Sequence, residues 1–202
     1  MENSGDVKFY RIKEEIRILG IDDAPFDLHS DEKTMLVGTV FRGGNWLDGV
    51  LRTEVLVDGV DSTERIVGMV NKSKFRDLRV IMLDGLGFGG FNLVDIERLF
   101  RETNLPVIVV VRRMPDFKAI GNVVKNLVNN RFYSECMRKA GKPRRVETKP
   151  GKFIYIQPHG VSFRDAEVIV KLSSTRSLIP EPIRVAHLIA SGIVLGESRG
   201  GA

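Results

Sequence analysis

Residues 107–111 read Val-Ile-Val-Val-Val behind Pro106, five β-branched side chains with no polar break. A run of this kind is a strand buried on both faces, because a half-exposed strand would alternate. It demands helices above and below a sheet and therefore points to the α/β class. Other segments fill in around it. Residues 16–21 form an apolar strand ended by Asp22, Asp23 and Pro25. Residues 34–41 and 46–57 read as two more strands joined by Gly43-Gly44-Asn45, a hairpin-type turn. Short strands are expected at 80–83 and 153–157.

Helices are expected between these strands. Asp61 or Ser62 opens one that runs to Asn71, and 92–102 carries Leu93, Ile96, Leu99 and Phe100 at helical spacing. Residues 116–140 read as helix with a break near Asn129-Asn130, and 141–150 as a basic Gly/Pro loop. The last helices span 162–172, with Ser162 as N-cap, and 182–195, with Pro182 in the first turn. The order is β-β-β-α-β-α-β-α-β-α-α. An antiparallel trio leading into parallel strands, flanked by helices, is the element order of the ribonuclease H-like fold. A doubly wound nucleotide fold would place a Gly-rich loop after its first strand; here that strand ends in Asp-Asp.

The 202 residues, 43% of them hydrophobic, suffice for one core, so a single domain over 1–202 is expected, with a Gly/Ser-rich tail at about 197–202 that frays. No membrane-length apolar run and no signal-peptide core is visible, and Cys136 is the lone cysteine, which excludes an internal disulfide and a Cys-based zinc cluster. A soluble cytoplasmic protein is the expectation. The net charge of +5 is unevenly spread: residues 111–152 hold twelve Lys/Arg against three acids, +9, and the remainder sums to −4. Such asymmetry suits a polyanionic partner, or a solvated helical surface.

Three acids close apolar strands: Asp22 after Leu19-Gly20-Ile21, Asp58 after Val55-Leu56-Val57, and Asp84 after Ile81-Met82-Leu83. Each alone is an ordinary cap. Together, converging at the sheet centre, they would repel unless a cation sat between them. Oxygen donors of this type suit Mg²⁺ or Mn²⁺, which would polarise a phosphodiester and acidify an attacking water. The loop Asp84-Gly85-Leu86-Gly87-Phe88-Gly89-Gly90 would let backbone N–H groups approach phosphate, or be only a flexible turn. His159 follows a strand and precedes a helix, a position for a ligand or proton carrier. His187, inside the last helix among apolar neighbours, reads as packing, and His29 has no assignment. Arg112 and Arg113 close the 107–111 strand, where they reach a phosphate or simply mark its surface end. Phe132 and Tyr133 interrupt the basic segment, as base-stacking or core residues.

These residues resemble endonuclease V and, more closely, its archaeal relatives, the endonuclease dU family. Gly20-Ile21-Asp22 matches the first strand, Asp58-Gly59 stands where the family has an acid and Gly, with Asp for the usual Glu, and Asp84-Gly85-Leu86-Gly87 matches the Asp-Gly-x-Gly strand end. Arg112 stands for a Lys after the Pro106 strand, and Pro158-His159-Gly160 reorders a Pro-Gly-His turn. Pro180-Glu181-Pro182-Ile183-Arg184-Val185-Ala186 matches the last motif in full.

The resemblance covers residues 20–195. It implies a ribonuclease H-like core and divalent-metal hydrolysis of DNA near a deaminated base, deoxyuridine or deoxyinosine. Asp22, Asp58 and Asp84 would hold Mg²⁺ or Mn²⁺, His159 would assist, and Arg112 would neutralise phosphate. Gly85, Gly87, Trp46, Arg113, Arg144 and Arg145 are the expected contacts to nucleic acid. The Pro-Tyr-Ile-Pro wedge of endonuclease V is missing; Trp46, in Asn45-Trp46-Leu47-Asp48-Gly49, would replace it or pack in the core. DNA with deaminated bases is the expected partner, with no free nucleotide cofactor. Two other readings stay open: a binding module without chemistry, and a nucleotide enzyme using the 85–90 loop.

Overall fold

A computed structural model describes residues 5–198. Seven strands form one mixed sheet. β1 (Arg17–Asp23), β2 (Lys33–Arg42) and β3 (Trp46–Leu56) are the expected antiparallel meander, and β4 (Val80–Asp84) and β7 (Val107–Val111) run parallel to β1. Across the sheet the order is β3-β2-β1-β4-β7-β9-β8. β5 (Gly87–Phe88) and β6 (Asn92–Leu93) make a separate two-stranded hairpin.

The two sheet faces explain the apolar runs. Leu19, Ile21, Ile81, Leu83, Val107 and Val109 point to one face, covered by α1 (Ser62–Lys72), α2 (Ile96–Thr103) and, through Ala140, α4 (Asn130–Ala140). Their alternates Ile18, Val80, Met82, Ile108 and Val110 point to the other, covered by α5 (Phe163–Ser173) and α6 (Glu181–Leu195). β7 is buried on both sides, as its sequence requires.

Three local expectations change. Residues 92–93 are strand rather than helix, because the buried Asn92 amide is committed elsewhere. Its Oδ1 accepts from Ser62 N–H at 2.9 Å and its Nδ2 donates to Leu56 O and Asp61 Oδ1. α2 starts only after Asp95, whose carboxylate caps Arg98 N–H. The basic segment 141–150 is not a loop throughout: β8 (Arg144–Lys149) buries Val146 against Ile154 of β9 (Lys152–His159). The flanking charges mask that alternation in the sequence. β9 runs antiparallel to β7, so parallel pairing is confined to β1–β4 and β4–β7. The expected helix break is present, with α3 (Phe117–Val124) ending before α4 begins at Asn130. Of the expected frayed tail, the Ser198 hydroxyl donates to Leu188 O, and 199–202 lie outside the described residues.

α6 is seated by an unusual contact. A Cβ on Gly20 would strike the backbone of Pro182, so only glycine lets the helix start lie directly on β1. Thr39 Oγ1 donates to Pro182 O at 2.6 Å from the neighbouring strand. The buried Glu181 carboxylate accepts from Arg184 and from Arg176 N–H, tying the preceding loop to the helix. This gives the Pro-Glu-Pro-x-Arg-x-Ala motif a structural role.

Candidate active site

Parallel neighbours β1 and β4 both end at the same edge of the sheet. Register pairs Ile21 with Leu83, which brings Asp22 and Asp84 together one residue later on the α6 face. The helix supplies the third group. Four residues of helix rise about 6 Å, and two residues of strand advance about 6.6 Å. With Ile183 seated over Gly20, His187 therefore arrives at the level of Asp22. Its Nδ1 lies 2.9 Å from Asp22 Oδ2.

The electrostatics follow from this crowding. Burial, and then the charge of Asp22, push the Asp84 carboxyl up to about 7, against the opposing fields of Arg112 and His187. Asp23 is pushed up to about 6, mainly by burial, although its Oδ2 accepts from Gly89 N–H at 2.7 Å. His187 is raised from its ordinary value by the hydrogen bond to Asp22, which favours the imidazolium. The Asp22 and Asp84 carboxyls, with Asp23 near enough to act on Asp84 through its charge, thus face the Arg112 guanidinium and the His187 imidazole. Among the described residues no three His, Cys, Asp or Glu side chains form a group that would enclose a metal ion. The oxygen donors of Asp22 and Asp84 nevertheless fit a hard divalent cation, which takes one or two carboxylates and completes its shell with phosphate and water.

The structure relocates several expected site residues. Asp58 is held by the glycine-rich loop in the turn after β3. Its backbone is left-handed, with φ 52°, a conformation Asp tolerates better than most residues. Its Oδ1 accepts from Phe91 N–H at 2.8 Å and its N–H donates to Gly89 O. Asp58 and Asp23 together pin the glycine-rich loop. His159 pairs with Val107 at the start of β7, about 10 Å down the sheet from Asp84. The antiparallel run of β9 puts its end at the wrong edge, and His159 packs edge-on to Phe100 instead. Trp46 pairs with Arg42, which pairs with Arg17, five residues or about 16 Å of strand from Asp22. It is 63% exposed, but at the far edge, so it is neither core nor wedge beside Asp22.

The phosphate-cradling loop also reads differently. Gly85 N–H donates to Val110 O, and Gly87 pairs with Leu93, whose side chain leaves no room for a Cβ. These glycines shape the turn, and the amides of Gly89 and Phe91 are used by Asp23 and Asp58. Arg112 stands at the end of β7, beside Asp84, and Arg113 is exposed next to it. Arg144 and Arg145 lie on β8 and stack on Phe163 and Phe153, each 3.4 Å from guanidinium carbon to ring centre. Tyr133 is a core residue.

Two site residues escape sequence reasoning. Asp23, as half of Asp22-Asp23, reads as a strand terminator. His187 gives no signal in the chain, since its apolar neighbours on α6 describe packing on β1 and not the level at which the helix sits.

Known proteins resemble this chain in sequence and in fold. UPF0215 proteins of Methanothermobacter thermautotrophicus and Methanosarcina acetivorans are 56% and 54% identical, covering 100% and 96% of this chain and 98% of each relative. A crystal structure of a protein of unknown function from Archaeoglobus fulgidus superposes with TM-score 0.79 at 43% identity, over 89% of this chain and 98% of that one. Ciona intestinalis endonuclease V, solved with a 24mer DNA containing an inosine followed by a ribo-adenosine, superposes at TM-score 0.57 and 20% identity, over 85% and 82%. The likeness to endonuclease V places the sheet and its helices in the ribonuclease H-like fold. The family model described as endonuclease dU matches residues 14–194, which include both strand-end aspartates and His187, and the chain belongs to the endonuclease dU family.

Proposed function

We propose that the protein is a divalent-metal-dependent endonuclease that hydrolyses a phosphodiester in DNA near a deaminated base, with deoxyuridine the favoured lesion. The observation that carries this reading is the pairing of Asp22 with Asp84 at adjacent strand ends, where burial and then the charge of Asp22 push Asp84 up to about 7. A cation between two such carboxylates would offset both their burial and their repulsion. The uracil preference is supported by the family description, and the DNA substrate by the DNA-bound endonuclease V of the same fold.

Asp22 and Asp84 would hold Mg²⁺, or Mn²⁺ in its place. When bound, the ion supplies Lewis-acid polarisation of the phosphodiester and a lowered pKa for the attacking water. The remaining work falls to the chain's own groups. Arg112 offsets the charge of the phosphate beside Asp84. His187, oriented by Asp22 through Nδ1 and favoured by that bond in its protonated form, would donate a proton from Nε2 to the departing oxygen. Asp23 and Asp58 hold the 85–90 loop in place next to these groups.

Nicking of duplexes that carry uracil, hypoxanthine or no lesion, in Mg²⁺ against EDTA, tests the reading. Lesion-dependent nicking with Mg²⁺ alone is expected, lost in Asp84→Asn. Undiminished cleavage by Asp84→Ala would overturn it. The absence of an enclosing three-ligand group among the described residues favours a second reading, a nucleic-acid binding module without chemistry. It predicts salt-sensitive binding with no cleavage in any metal.

A further inference from the structure

The β8–β9 hairpin reaches past the catalytic edge of the sheet. Val111, the last residue of β7, pairs with Tyr155, so Lys152 projects three residues, about 10 Å, beyond it. There the hairpin meets the loop between α5 and α6, and a pocket of about 420 Å³ opens between them. Its floor is apolar, with Ile154 and Leu178. Its lining holds four cations, Arg112, Lys149, Lys152 and Arg176, and no carboxylate.

Two features mark this as a place for an anion rather than an ordinary basic surface. Lys149 and Lys152 are cross-strand partners, an arrangement of like charges that destabilises a hairpin unless something negative lies between them. Lys149 Nζ is also held in place, donating to Thr175 O at 2.9 Å. The other arginine-rich cleft, at the opposite edge of the sheet, is different. It also holds Arg11, Lys13 and Arg79, but carboxylates stand among its cations: Glu15 and Asp77 line it, and Arg17 and Arg42 are ion-paired with Asp48 and Asp77. Arg112 belongs both to the anion pocket and to the charges acting on Asp84, so the pocket is continuous with the catalytic edge.

We propose that this pocket is a second phosphate subsite, which grips the backbone of the substrate strand beside the bond to be cut. The assignment rests on the nuclease reading. It deepens that reading by naming Lys149, Lys152 and Arg176 as the groups that set where the strand lies over Asp22 and Asp84. Phosphate in this pocket has two sources, a continuous nucleic-acid strand or a free nucleotide. The apolar floor and the link through Arg112 to the catalytic edge favour the strand.

The test is fluorescence anisotropy in EDTA, where no cleavage occurs, with a labelled uracil-containing oligonucleotide over a series of salt concentrations. Wild type is compared with Lys152→Ala/Arg176→Ala and with a charge-matched control on the opposite face, Lys72→Ala/Arg101→Ala. The pocket variant is expected to bind about tenfold more weakly, with a salt slope shallower by about 0.9 for each phosphate it no longer neutralises. The control should stay near wild type. In Mg²⁺ the pocket variant should raise KM and leave kcat close to the wild-type value. Equal losses in the two double variants, with wild type still binding and cutting, would overturn the subsite alone. Tighter binding of a mononucleotide than of the oligonucleotide would assign the pocket to a free nucleotide and overturn it too. Failure of wild type to bind any DNA would remove the nuclease reading, and the subsite with it.

Discussion

Burial strips water from the Asp84 carboxyl and the neighbouring charge of Asp22 repels it, and together they raise it to about 7 from the ordinary 3.8. A folded-state value above the unfolded one means that the native protein binds the extra proton. The associated stabilisation is full below the unfolded value and is lost as pH rises through the folded one. Asp84→Asn should therefore be more stable than wild type at about pH 8, by on the order of 1–2 kcal/mol, and the gain should vanish toward about pH 4. Calorimetry at the two pH values checks this, and the same variant should have lost cleavage. The histidines separate just as sharply. His187→Ala is expected to lower kcat by about 10²–10⁴ in single-turnover nicking, the usual range for a lost proton donor. His159→Ala, at the far edge of the sheet, should cut at near wild-type rate. Asp58 is tested by Asp58→Asn, because Asn also tolerates the left-handed backbone and its Oδ1 still accepts from Phe91 N–H. Nicking assays should find this variant active and Asp22→Asn inactive.

At the scale of elements, the site depends on how α6 is seated. Glu181 is buried and accepts from Arg184 and from the Arg176 backbone, so Glu181→Ala strands a guanidinium and an amide at the helix start. A loss on the order of 2–4 kcal/mol is expected in denaturant titration. Gly20→Ala forces Pro182 away from β1 and should shift His187 off Asp22, so cleavage should fall even where the variant still folds. On the opposite face, Asp95 caps α2 and accepts from Lys139 Nζ of α4 at 2.7 Å. Burial works against its charge, but the bonds from Lys139 and Arg98 N–H outweigh it and hold the carboxyl below its ordinary value. Its contribution is present at neutral pH and is lost only as pH falls through that lowered value.

At the scale of the whole molecule, ligand linkage connects the site to global stability. A cation that binds only the folded protein raises its melting temperature, by an amount set by its concentration relative to Kd. Mg²⁺ should raise the melting point of wild type and leave that of Asp22→Ala/Asp84→Ala unchanged in a thermal-shift series. Among the described residues no helix is long and apolar enough to cross a membrane.

Much of this arrangement is legible in the chain. The β-branched run 107–111, the Gly43-Gly44-Asn45 turn and the apolar strands ended by Asp22 and Asp84 depend on local sequence periodicity, and they carry both the fold class and half of the site. Strand β8 is hidden because charged neighbours mask Val146. The direction of β9 is hidden because a strand's sequence does not say which way it runs beside its partner. That direction removes His159 from the site. The register of the β1–β2 hairpin places Trp46 at the far edge, and the turn after β3 commits Asp58 to the glycine-rich loop. His187 enters through the height at which α6 sits on Gly20. Sequence alone determined the central strands, their buried faces and which acids follow them, because these depend on side-chain chemistry at fixed periods. Only the tertiary structure decided which of those ends share an edge, because strand direction, register and helix height are set by contacts between residues far apart in the chain.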